Sequence, residues 1–262
     1  MQNISLNADS LFNQKITNPV FNNYFKNSEL SDLAKASFNT PVSTLHLKEM
    51  IEGIILHKKE ITRIIAESYT KCHGFLENDS VEFYIVPAHA DINRTLKKMG
   101  GVTGQTVGKK QVIIWINTHV RNWKNVLTYC VAHEFNHTCW IKNNFSPAFK
   151  WTVVNYMIME GKADSFAHLL YPNIEVAWTQ NLNESEKQEL WTSIKPKLNE
   201  SDFGLMGEIM LGSKNYPEWG GYTLGFDIVQ SAMKNNPSIE ISDLLNMDSE
   251  RILQMSKYTL HD

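Results

Sequence analysis

The chain has 262 residues, a net charge of −3, and 42% hydrophobic against 20% charged side chains, the balance of an ordinary globular protein. That charge gives no pull towards nucleic acid or anionic membranes, and the lysines and arginines form no stripe, which excludes nucleic-acid binding as a leading function. No apolar run approaches the roughly 18 residues of a membrane span, residues 1–20 lack a charged start followed by an apolar stretch, and three cysteines make a poor disulfide framework, so the expectation is a cytoplasmic protein without membrane partners.

In chain order, residues 1–40 are rich in Asn and Ser and predict short helices and turns. Over residues 45–72 the positions Leu47, Met50, Ile51, Ile54, Ile55, Ile61, Ile64 and Ile65 follow helical spacing, which predicts one long amphipathic helix stopped by Gly74. Residues 81–87 alternate as a strand does, and residues 91–99 read as a short helix ended by Gly100-Gly101. Residues 102–107 and 111–117 flank Gly108-Lys109-Lys110 and predict a β-hairpin. The apolar run within residues 111–117 fits an edge strand and an interior strand equally.

A helix is expected over residues 122–142, and it carries the most informative motif, His133-Glu134-Phe135-Asn136-His137. At 3.6 residues per turn His133 and His137 fall one above the other, where two imidazoles can hold one divalent ion, with Glu134 placed as general base for a water. Cys130 shares their face, but it lies about 10 Å along the axis from His137, too far for one tetrahedral site, so Cys130 reads as packed core. Cys72 and Cys139 receive the same reading.

Ser146-Pro147 predicts the start of a second helix, which ends near Pro172. Within it Glu160 follows three apolar residues, suited to deliver a third ligand into the interior. Asp164, one turn on, is placed to accept the free N–H of a ligating histidine and fix its tautomer. Gly161 is costly in a helix interior and suggests that something bulky passes close. Residues 183–199 predict a peripheral polar segment. Residues 204–225, with six glycines, predict a turn-rich stretch holding Trp219 and Tyr222, and helices follow over residues 226–234 and after Ser238.

His-Glu-x-x-His followed by Glu-x-x-x-Asp resembles the gluzincin zinc peptidases, and more closely a family of predicted bacterial zinc-dependent proteases. The likeness runs through Gly100-Gly101-Val102-Thr103-Gly104, the zinc motif, Glu160-Gly161-Lys162-Ala163-Asp164 and Gly221-Tyr222-Thr223-Leu224-Gly225, over roughly residues 80–260. It implies an α+β, zincin-like fold: a small sheet with an edge hairpin packed on the zinc helix, a mostly helical C-terminal half, and a cleft between them. The expectation is a single catalytic domain over residues 1–262, subdivided into residues 1–142, with the sheet and motif helix, and the helical residues 143–262, supplying Glu160. The implied ligands are His133, His137 and Glu160 for Zn2+, with Glu134 as base. Family members often carry Tyr or His where Asn136 stands and Leu where Lys162 stands; neither departure touches a ligand or the base.

The activity these residues point to is hydrolysis of a peptide or protein substrate, with Tyr222, on a glycine-flanked loop, as oxyanion donor and His168 as the next candidate. An aminopeptidase needs an acidic anchor near the edge strand. The hairpin sequence contains none, which favours endo- or oligopeptidase action. The alternative from another class is a zinc-binding regulatory or peptide-binding protein on a peptidase fold. Retention of Glu134 counts against it, since structural zinc needs no base.

Overall fold

The computed structural model describes residues 10–38, 44–88, 96–146 and 148–258. It is an α+β structure whose backbone contacts divide it into two units. One comprises the chain up to Thr70 with Glu77–Lys142; the other comprises Lys71–Leu76 with the chain from Asn143.

The first unit is built on a three-stranded sheet of β1 (Glu82–Pro87), β2 (Val102–Gly108) and β3 (Gln111–Ile116), in the order β1-β3-β2. β3 pairs parallel with β1 and antiparallel with β2, and the β2 register shifts between Thr106 and Gly108. β3 is therefore the interior strand and β2 lies at an edge, which corrects the edge role considered for residues 111–117. Its run Val112-Ile113-Ile114-Trp115-Ile116 is buried on both faces, as an interior strand requires.

Directly opposed residues share a face, so Ile113 and Trp115 point one way with Tyr84 and Val86. They meet Phe21, Phe25, Ala34, Ala88, Leu96 and Val107 in one apolar cluster. Phe21, Phe25 and Ala34 come from the N-terminal segment, where Asn13–Thr17 and Phe21–Phe25 are π-helical turns and α1 spans Ser31–Ala36. The predicted long helix is two, α2 (Thr44–Leu56) and α3 (Lys58–His73), parted at His57, whose ring lies 5.4 Å from that of Trp123. The helix expected over residues 91–99 falls mostly outside the described residues.

The motif helix α4 runs Trp123–Asn144. Ser68 Oγ donates to Thr128 O at 2.9 Å, and the Phe135 ring lies 5.5 Å from that of Tyr69, which also meets Phe83. Asn78 Nδ2 donates to Thr138 Oγ1 and to Lys109 O, tying α4 to the hairpin turn.

In the second unit α5 (Val153–Leu170) carries Glu160. Its N-cap is Thr152, whose Oγ1 accepts from Asn155 N, and not Ser146. Val153 N and Val154 N donate to Glu200 O and Leu198 O, so donors of the first turn are already used by a neighbouring segment. The other α-helices of this unit among the described residues are α6 (Glu184–Ile194), α7 (Phe203–Leu211), α8 (Gly220–Asn235), α9 (Ile241–Asn246) and α10 (Ser249–Met255). α6 opens with a capping box between Asn183 and Glu186. The glycine-rich stretch is thus largely helical, with its turn at residues 212–219.

α8 packs along α5 at a glycine-on-glycine crossing. A Cβ on Gly161 would fall on Gly225 O, and one on Gly225 would fall on Met157 O. The close approach inferred from Gly161 is the backbone of α8.

Candidate metal centre

His133 and His137 are buried on α4, with Nε2 atoms 3.0 Å apart and rings at 81°. Two nitrogens bound at about 2.0–2.1 Å to one tetrahedral zinc lie about 3.3–3.4 Å apart, so this pair needs an adjustment of a few tenths of an ångström. Glu160 on α5 is also buried, and one ligand atom from each of His133, His137 and Glu160 lies within 4.8 Å of the others. Two imidazoles and a carboxylate are a donor set that zinc takes in catalytic sites. Burial of that set is costly unless its polar atoms are bonded, and a cation meets that need. On spacing and chemistry the residues present fit the ion.

Glu134, also buried, is positioned by β2. Thr106 Oγ1 lies 2.7 Å from Glu134 Oε2 and 3.1 Å from Glu134 O, and its single proton goes to the nearer acceptor, Oε2. Two residues earlier on the same face, Gly104 leaves room for the side chain: a Cβ there would stand 2.5–2.7 Å from Glu134 Cγ, Oε1 and Cδ. The Glu134 carboxylate is thus gripped at Oε2 and given space at Oε1. Sequence reading missed Thr106. Gly104 stood in a quoted motif, but its partner thirty residues on has no periodic signature.

Asp164 is fully buried, and its Oδ1 accepts from Trp178 Nε1 at 3.0 Å. Trp178 is held in turn, its carbonyl accepting from Thr223 Oγ1 at 2.7 Å. Thr223 and Gly225 therefore have packing roles in α8: one holds the indole against Asp164, the other admits α5.

Tyr222 lies half-buried in the first turn of α8, not on a loop. His168 is half-buried with its ring 5.5 Å from that of Phe226. Lys162 is buried and donates to Met247 O at 2.6 Å, at the C-terminal end of α9 where carbonyls lack helical partners. Burial pushes its ammonium pKa down to about 8, against the pull of Asp248. The three cysteines are buried and not joined in disulfides.

Among the described residues no helix is long and apolar enough to cross a membrane. No solved structure matches the chain. YjfC of Bacillus subtilis (strain 168), described as an uncharacterized protein, is 23% identical over 220 residues, covering 76% of this chain and 71% of that protein. Residues 61–254, which include the motif helix, the Glu160 segment and the α8 glycines, match the family described as "Predicted Zn-dependent protease (DUF2268)", and the chain belongs to that family.

Proposed function

We propose that this protein is a zinc-dependent peptidase with His133, His137 and Glu160 as ligands and Glu134 as general base. The observation that carries the reading is the convergence of those three buried ligand groups, with the intervening Glu134 braced by an edge strand. Zinc held there supplies Lewis acidity, polarising a carbonyl and lowering the pKa of water towards about 7.

Glu134 takes the proton of the attacking water at Oε1, the oxygen over Gly104, while Thr106 keeps Oε2 from swinging. It then returns that proton to the leaving amine. Asp164 acts by orientation, accepting the N–H of a ligating histidine while Trp178 fixes its other oxygen. Tyr222 donates to the developing oxyanion; Tyr222→Phe is expected to stay folded and turn over about 10²–10³-fold more slowly. Normal turnover in that variant assigns Tyr222 to packing. Three buried cysteines outside disulfides suit a reducing, cytoplasmic setting.

The test compares wild type with Glu134→Gln on peptide libraries, with zinc measured in both. Equal zinc with cleavage lowered about 10²–10⁴-fold in the variant is expected. Zinc in both and cleavage in neither would move the reading to a zinc-binding regulatory or peptide-binding protein.

A further inference from the structure

The N-terminal segment crosses the far end of β2. Leu30 N donates to Val107 O at 2.8 Å, taking a carbonyl that the register shift withdraws from β3. Glu29 Oε2 accepts from Lys109 N at 3.1 Å, and Glu29 Oε1 pairs with Lys109 Nζ at 3.4 Å. Ser28 Oγ donates to Gln111 Oε1 at 3.1 Å. A Cβ on Gly108 would collide with Glu29 Oε2 and approach Ser28 Cβ to 3.2 Å. Ser28, Glu29 and Leu30 thus form a strap seated on the backbone of Val107 and Gly108, anchored below by Phe21 and Phe25 in the apolar cluster.

We propose that this strap limits how many substrate residues are accepted on the N-terminal side of the scissile bond. The inference rests on the peptidase reading. An edge strand offers every second N–H and C=O outward, and an extended peptide docks by pairing with them. Antiparallel pairing is the more stable, and it turns the N-terminal side of the peptide towards Gly108. Gly104, against Glu134, marks the level of the bond to be cut. Val107 lies three positions on, or about 10 Å at about 3.3 Å per residue.

About three residues N-terminal to the cut therefore fit before the peptide meets Leu30. The strap supplies the acidic residue that the hairpin lacks, yet Glu29 is already engaged by Lys109. It closes the groove by bulk and is not a seat for a free amine. The favoured substrates are oligopeptides and protein N-termini cut within about three bonds of the amino end, whether that end is free or acetylated.

Zinc-loaded full-length protein is incubated with long random-sequence peptides, free and N-acetylated, and cut sites are read by mass spectrometry with Glu134→Gln as the blank. Cuts clustered within about three bonds of the N-terminus in both sets are expected. The double substitution Glu29→Gly, Leu30→Pro removes the side chain over Gly108 and the N–H on Val107, and should move cuts deeper into the peptide. Circular dichroism checks its fold. If it is unfolded, the milder Glu29→Ala replaces it and the wild-type profile still decides. Glu134-dependent cuts spread along wild-type digests, or an unchanged profile in a folded opened variant, overturn this inference alone. Clustering in free but not acetylated peptides overturns the steric account. No Glu134-dependent cut in any peptide overturns the peptidase reading and this inference with it.

Discussion

Two carboxylates of the proposed centre, Glu134 and Glu160, are each positioned with a glycine's help, and the two glycines work in opposite ways. Gly104 on β2 leaves a space that the Glu134 side chain fills, and Thr106 then fixes the carboxylate by a hydrogen bond. Gly161 leaves no space: the backbone of α8 occupies the place of its Cβ, and Glu160 is aimed by the rigid crossing of two helices. The same residue type thus makes room for a side chain in one unit and brings main chains together in the other. A side chain can rotate away from an intruding methyl, whereas a packed helix cannot, so the two sites should fail differently.

The largest effect is expected where the donor set itself is broken. His133→Ala and Glu160→Ala should each lose bound zinc, seen by elemental analysis, and lose peptide cleavage with it. They should also lower the melting temperature, because an ion bound only to the folded state stabilises it. Protein purified without chelator that holds no transition metal, and takes up none on zinc addition, would remove the metal from the account altogether.

Next come the glycines. Helix propensity alone would make Gly161→Ala stabilising by about 1 kcal/mol. The crossing predicts the reverse, a net loss of about 2 kcal/mol or more in urea unfolding with chelator present, since the new methyl meets main chain that cannot move aside. Gly207, on α7, has nothing within 4 Å of its Cβ position, so Gly207→Ala serves as the control and should gain about 0.5–1 kcal/mol. Gly104→Ala should leave stability within about 1 kcal/mol and zinc intact, while cleavage falls about 10²-fold because Glu134 is pushed off its hydrogen bond to Thr106. Equal stability changes at Gly161 and Gly104 would end the distinction between the two.

The same contrast explains what could be read from the sequence. The i, i+4 histidines and the Glu160-Gly161 pair were legible because helical geometry is local, and one glycine in an apolar helix marks a close neighbour. The braces were not legible. Thr106 and Gly104 act on a residue about thirty positions away, and nothing in the pattern of β2 points there. β3 was ambiguous because an unbroken apolar run marks burial without saying how many neighbours a strand has. The glycines of α8 read as turns because their propensity is poor, and packing against α5, α7 and the Trp178 carbonyl overrides it. Ser146-Pro147 misled in the opposite sense: a strong local start signal lost to Thr152, where pairing with Leu198 and Glu200 fixes the chain.

A pH-dependent effect belongs to Asp227 on α8 and sharpens the comparison, because its partners hold the helix independently of the crossing at Gly225. Asp227 accepts from Tyr258 OH at 2.6 Å, Lys257 Nζ at 2.8 Å and Lys187 Nζ at 3.0 Å, which ties α8 to α6 and to the segment after α10. Burial alone would raise its pKa, but the hydrogen bonds from Lys257, Tyr258 and Lys187 outweigh it and hold the carboxyl below its usual value. A carboxylate with a depressed folded pKa stabilises the protein fully above its unfolded pKa of about 3.9, and that contribution is lost as the pH falls through the folded value. Asp227→Asn should therefore cost about 1–2 kcal/mol at neutral pH, and the gap between variant and wild type should close as urea unfolding is repeated towards pH 3. A gap that stays constant with pH would mean that Asp227 contributes shape and neutral hydrogen bonds alone, leaving the glycine crossing as the feature that seats α8 on α5.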